Sequence, residues 1–267
     1  RFNDNDTAYL QRTLGAGDSQ KTATFFGAFK LGAASGSRRM IFGFDNGSGS
    51  HDSFCEITAA DKLRIYLRDT SEVISVDFVS TQVLRDHHAW YFWVWTIDTT
   101  PVTPVNKFFL NGVEVTDWTK STDALAQDDV FTFSVSGSRY AVGAYAGGTN
   151  TFEGYQSQVG YQDGVTVSDA MGHGEFDDEG EWRPIDVTGL NFGTNGFLLD
   201  FSDADFLGKI AADTGTYTAS TSGAWSGDTG SYSHSGSDIT CSSTEKSIYT
   251  TSAIAAIGEE VRVRWLW

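Results

Sequence analysis

Trp90, Phe92, Trp118, Tyr145 and Trp225 are aromatic residues set among short polar stretches. Sugar recognition needs a flat apolar ring to stack on a pyranose face and nearby polar groups to read the hydroxyls. These five supply the rings, with packing in a β-sheet interior as the competing role of each. Glu175, Asp177 and Glu179, in EFDDE, place carboxylates at alternate positions. On a strand all three would point to one face, and a retaining glycosidase needs its carboxyl pair only about 5–5.5 Å apart. Gly172, Gly174 and Gly180 bracket this run, and Asp178 falls where a sandwich strand would turn an apolar residue inward. The run therefore reads as an acidic loop.

Other chemistries find no support. His87 and His88 are adjacent, so on a strand they face opposite ways, and His51, His173 and His234 are scattered. No cysteine and histidine spacing suits zinc. No glycine-rich stretch leads from a strand into a helix as a phosphate loop does. A G-x-S-x-G elbow is absent, so a serine hydrolase is unsupported.

The elements that must hold these residues are strands. Twenty-nine glycines, 14% aromatics and only three prolines describe short strands joined by Gly, Asn, Asp and Ser turns. Strands are expected at Thr22 to Leu31, Arg39 to Phe44, Lys62 to Leu67, Val73 to Val79 and Trp90 to Ile97. Lys107 to Val115 contains an Asn111-Gly112 hairpin signal requiring positive φ, and Tyr140 to Ala144 and Phe152 to Tyr161 complete the set. Alternation in WYFWVWTI puts Tyr91, Trp93, Trp95 and Ile97 on the core face. Trp90, Phe92, Val94 and Thr96 are left on an outer face. The fold class is all-β, a two-sheet antiparallel jelly-roll sandwich with a C-terminal β-rich extension.

The 267 residues, 40% apolar, suffice for one large sandwich core and a small appendage, which excludes a disordered chain. A formal charge of −17 disfavours nucleic acid and anionic bilayers as partners, and its simplest role is solubility. Cys55 and Cys241 are too few for a disulfide framework and are expected to be free thiols. No window approaches the roughly 18 consecutive apolar residues of a membrane span, so no membrane insertion is expected. The opening RFNDNDTAYL lacks the basic and apolar regions of a signal peptide and has no initiator Met, so export is not decided from it. From Thr214 to Thr244 the chain turns Ser, Thr and Gly-rich, interrupted by Tyr217, Trp225 and Tyr232. Residues 1–205 are thus assigned to the sandwich, and 206–267 to a β extension or the start of a second small module. The alternating end, VRVRWLW, is expected to pair with a sheet here or in a neighbouring chain.

In order, FFGAFKLG, AWYFWVW, KFFLNGVEV and FEGYQSQVGYQDGVTVSDA resemble the laminin G-like branch of the concanavalin A-like superfamily. FNDNDTAYLQRT, STQVLRDHHAWY and FDDEGEWRPIDVTGLNFGTNGFLLDFSD further resemble virion proteins of tailed bacteriophages, of tail-fibre type, that carry this domain. The resemblance covers residues 1 to 205 and ceases after Gly208.

It implies a jelly roll that contacts host-surface glycans or serves adhesion, displayed on a virion among other virion proteins as a symmetric homo-oligomer. It implies binding rather than catalysis, although laminarinase-type glucanases of this superfamily carry Glu, Asp and Glu on one strand, as at Glu175, Asp177 and Glu179. It also implies a cofactor, Ca²⁺ at a loop rim, for which six to eight oxygens are needed. Asp45, Asn46 and Asp52, with the loop from Asp177 to Glu181, are best supplied, against a plain turn at Asp45-Asn46-Gly47. The rival to glycan binding is a purely structural capsid or tail decoration protein, and the third reading is a glycoside hydrolase using Glu175 and Glu179.

Overall fold

The computed structural model describes Phe2, residues 8–32, 36–47 and 53–201, and the backbone of four short strands between 225 and 250. The chain divides into two compact units, Arg1–Ala211 and Ala212–Trp267. No helix among the described residues is long and apolar enough to cross a membrane.

Among the described residues the first unit holds fifteen strands: β1 (Leu10–Thr13), β2 (Thr22–Leu31), β3 (Arg39–Asp45), β4 (Ser53–Ile57), β5 (Lys62–Arg68), β6 (Ile74–Val83), β7 (Trp90–Asp98), β8 (Val105–Leu110), β9 (Val113–Glu114), β10 (Trp118–Asp123), β11 (Arg139–Val142), β12 (Gly154–Asp163), β13 (Gly174–Phe176), β14 (Trp182–Pro184) and β15 (Phe197–Leu199). A seven-stranded sheet runs β1-β11-β3-β4-β5-β6-β10 and a six-stranded sheet runs β15-β12-β2-β7-β8-β9. The pairings within both sheets are antiparallel. The chain crosses repeatedly from one sheet to the other, so neighbours such as β2 and β12 are distant in sequence. That wrapping is a jelly-roll sandwich.

Period-two alternation builds the core between the sheets. Phe25 and Phe29 of β2, Phe42 and Phe44 of β3, Trp93 and Trp95 of β7, and Tyr140 and Tyr161 interlock there with almost no exposure. Phe42 stacks on Trp93 at 5.1 Å and on Tyr140 at 5.6 Å, and Tyr140 meets Phe44 edge-on at 4.4 Å. Such offset and edge contacts suit the ring quadrupole. Gly27, within β2, lets the Trp93 indole lie across the strand, because a Cβ there would meet Trp93 Nε1 at 3.3 Å. Cys55 is a fully buried free thiol, and burial pushes its pKa well up.

Two details orient the outer surfaces. Asn111 (φ 48°) and Gly112 (φ 76°) form the tight turn between β8 and β9 that the sequence predicts. At the end of β12, buried Asp163 accepts backbone N–H groups of Asp18 (2.8 Å), Ser19 (3.3 Å) and Asn195 (3.1 Å) and the Ser134 hydroxyl. This carboxylate ties the loop before β2 to the approach to β15. Gly193, with φ 68°, sits against the Asp163 carbonyl where a side chain has no room.

Among the described residues the second unit contains two antiparallel pairs, Trp225–Gly227 with Ile248–Thr250 and Tyr232–Ser235 with Asp238–Cys241. VRVRWLW and the side chains of Trp225, His234 and Cys241 lie outside the described residues.

Candidate functional site

The outer face of the six-stranded sheet brings together the two foremost aromatic candidates. Register places Tyr155, Lys30 and Trp90 side by side on β12, β2 and β7, with Ser157, Ala28 and Phe92 as the next row. Strands lie about 4.8 Å apart, so Tyr155 and Trp90 stand about 10 Å apart with Lys30 between them. Trp90 is 40% and Tyr155 44% exposed, whereas Ala28 is buried. The second row is thus a shallow trough with a small floor, walled on one side by half-buried Phe92.

A backbone irregularity creates this face. β12 carries one extra residue against β2 between Ser157 and Gly160, and Gln158 there has φ 48°. One inserted residue reverses which face every later side chain takes. Tyr155 consequently points outward, whereas Tyr161 is in the core with no exposure. The Tyr161 hydroxyl and Ser134 Oγ lie 2.7 Å apart there, and burial holds the phenol well above its ordinary pKa.

Trp90, Phe92, Val94 and Thr96 do share the sheet's outer face, but that face is only half open. Residues 165–195 fold back over it, and Val94 and Thr96 are buried together with Phe26 and Phe109. Ala170, Val187, Phe192 and Leu198 form a second apolar cluster with them, and Trp182 packs on its edge. His173 lies on Phe26 with ring centres 4.5 Å apart. Gln162 Nε2 donates to the Asn191 carbonyl at 2.7 Å, which turns its Oε1 toward His173 Nε2 at 2.8 Å. Burial lowers the His173 pKa to about 4, against the opposing charge of Asp169, so the ring is neutral at pH 7 and Nε2 is the donor. Where the cover meets the open half, Phe26, Phe92, Val94, Gln158, His173 and Trp182 line a shallow notch.

The remaining candidates are dispersed. Trp118 is packed at the core margin, its ring 6.0 Å from Phe78 and its Nε1 donating to the Val115 carbonyl at 2.7 Å. Tyr145 lies on the outer face of the other sheet. There it meets Phe54 edge-on at 5.1 Å, Phe54 stacks on Tyr66 at 4.8 Å, and Arg38 donates to the Tyr145 hydroxyl at 2.9 Å. Glu56, fully buried in that cluster, joins Arg38 at 2.7 Å and Arg64 at 3.3 Å. The strand of Trp225 belongs to the second unit.

Asp45 is buried and engages Arg139 through both oxygens while accepting the Gly47 N–H at 2.8 Å. Its carboxylate is committed to a cation and to the turn. Asn46 follows in that turn, and Asp52 lies outside the described residues. Among the described residues no three His, Cys, Asp or Glu side chains cluster as a metal site. Glu175 belongs to β13, but Asp177 and Glu179 lie beyond it in the turn to β14, so the three share no strand. Asp177 accepts N–H bonds from Glu179 (3.1 Å) and Glu181 (2.8 Å) and pairs with Arg183. Arg183 first, then the Glu181 N–H, lower its pKa. His87 stands 3.5 Å from Asp61 and is separated in role from exposed His88.

Sequence reasoning missed Lys30, Tyr155, His173 and Trp182. The first two lie in recognised strands, but only cross-strand register shows that they flank Trp90.

No protein family and no curated protein matches the chain. Solved structures with a similar course include the native heptameric SAP-like pentraxin from Limulus polyphemus, 11% identical over 60% of this chain and 71% of that one, TM-score 0.42. Another is the CBM40 of the Ruminococcus gnavus IT-sialidase, 14% identical over 62% of this chain and 96% of that one, TM-score 0.42. The same CBM40 bound to α2,3 sialyllactose gives 14% identity over 61% and 94%, TM-score 0.41. The fold assignment rests on the two sheets themselves.

Proposed function

We propose that this chain is a non-catalytic carbohydrate-binding module whose contact surface is the open half of the six-stranded sheet. The observation that carries this reading is the exposed row of Trp90 and Tyr155 beside the Ala28 and Phe92 trough, on a rigid sheet rather than a loop. Exposed rings give pyranose faces a stacking surface, while Ser157, Gln158 and Lys30 offer polar groups to hydroxyls. The separation of Glu175 and Glu179 between strand and turn favours binding over hydrolysis.

The likeness of FNDNDTAYLQRT and its companion stretches to phage virion proteins supports a place on the virion surface, with host-surface glycans as the target. Shallow sites bind weakly one at a time, and symmetric copies on a particle would raise the overall affinity through avidity. The test is saturable binding of the purified chain to a panel of bacterial surface polysaccharides and to host cells. Trp90→Ala and Tyr155→Ala are each expected to weaken binding about tenfold or more, equivalent to about 1.4 kcal/mol or more. Binding unaffected by both substitutions, or none to any host material, overturns the reading; particle association without glycan binding would point to a decoration protein.

A further inference from the structure

Lys30 occupies the centre of the exposed aromatic row. Residues directly opposite on antiparallel strands have Cβ atoms about 4.5–5.5 Å apart, and Lys30 is opposite Trp90 on one side and Tyr155 on the other. Among the described residues its ammonium enters no ion pair, hydrogen bond or cation–π contact. Lys21, Lys107 and Lys120, by contrast, meet Asp128 at 2.8 Å, Glu114 at 3.5 Å and Asp123 at 2.9 Å.

Two ordinary reasons for a solitary lysine do not apply. Lysines guard sheet edges against pairing with other chains, but β2 is interior, flanked by β12 and β7. Nor does a chain of charge −17 gain solubility from one more cation. The two rows, Tyr155-Lys30-Trp90 and Ser157-Ala28-Phe92, contain no carboxylate; Glu153 stands in the adjoining row, its side chain over Gly32.

We propose that the site selects an anionic sugar residue, stacked on Trp90 or Tyr155 with its charged substituent on the Lys30 ammonium. This rests on the glycan-binding reading and names the ligand's charge. The net negative charge opposes a polyanion at long range, but at about 0.15 M salt the Debye length is about 8 Å and the nearest charges dominate. A carboxylated and a sulfated sugar both supply the required anion, and lysine, as a compact point charge, accepts either.

The full chain, Lys30→Gln and Trp90→Ala are compared for binding to polygalacturonate and its carboxyl-reduced form, and to dextran sulfate and dextran. Wild type is expected to bind at least one anionic probe about tenfold or more tightly than its neutral counterpart, and Lys30→Gln to remove that preference. The preference should also shrink with added salt, while the melting temperature of Lys30→Gln stays at the wild-type value. Preference for polygalacturonate identifies a carboxylated sugar, and preference for dextran sulfate a sulfated one. Equal binding to charged and neutral partners, or a preference that survives Lys30→Gln, overturns the inference and leaves the glycan reading standing if Trp90→Ala still weakens binding. Absence of binding to all four probes overturns the inference; the glycan reading falls with it only if the host polysaccharide panel is also negative.

Discussion

Glu56 shows how one residue can anchor an outer surface. Its carboxylate has no solvent exposure, yet it points away from the main core, where Arg38 and Arg64 close over it and over the Phe54 and Tyr66 rings. Arg38 and Arg64 keep 39% and 24% of their side-chain exposure, so they stay solvated when the buried partner loses its charge, and Glu56→Gln is expected to cost about 2 kcal/mol in urea unfolding. Asp77, which accepts both Arg64 Nε and Nη2, is more exposed than Glu56, and Asp77→Asn should cost about 1 kcal/mol. Equal losses in the two variants would refute this ordering. His173 makes a pH-dependent contribution of determinable sign. Its folded pKa, about 4, lies below the ordinary 6.5, so the unfolded chain takes up a proton first as pH falls. Stability fully present above pH 6.5 is therefore lost on descending toward pH 4, by up to about 3 kcal/mol for this group. His173→Leu should be less stable at pH 7 but show a flatter fall across that window. An unchanged slope would mean that His173 is not buried in its neutral form.

The cover formed by residues 165–195 decides which part of the six-stranded sheet faces solvent. Its β13-β14 hairpin sets Phe176 and Trp182 edge-on at 5.0 Å, and both lie against Gly112, where a Cβ would strike the Trp182 ring. Trp182→Ala should remove the edge of the second apolar cluster and cost about 2 kcal/mol, since the indole is only half buried. Hydrogen exchange at Phe26 and Val94 should then quicken before that at Phe42; uniform acceleration would show that the cover is not a separate layer. The main strands were legible because β2 and β7 are dense in aromatic and β-branched residues, and Asn111-Gly112 announces its turn. The Trp118 strand, β4 and β1 were not, since SFCEI is short and WTKSTD is polar enough to resemble a loop. The bulge at Gln158 left no compositional trace. Without it Tyr155 and Tyr161 would share a face, so neither the exposure of Tyr155 nor its alignment with Lys30 was accessible to pattern reading. The half-burial of the Trp90 strand was hidden for another reason: it depends on chain some 70 residues later folding back.

At the scale of the molecule, all three apolar clusters are made of residues between Phe2 and Phe201. The proposed contact row and its supporting cover fall within the same span. The first unit, Arg1–Ala211, therefore contains the whole described core together with the surface assigned to glycan binding. A domain with its own core can fold alone. A chain ending at Ala211 should unfold in one cooperative transition, with the denaturant slope expected for its size, and should retain single-site glycan affinity within about twofold of the full chain. Binding to multivalent surfaces measures a different quantity, because it grows with the number of linked copies rather than with contacts at one site. If Ala212–Trp267 assembles copies, truncation should lower apparent affinity for whole cells by about a hundredfold while leaving affinity for a short oligosaccharide unchanged. Parallel loss on cells and oligosaccharide would place part of the binding surface in the second unit, whereas equal retention on both would assign assembly to the sandwich itself.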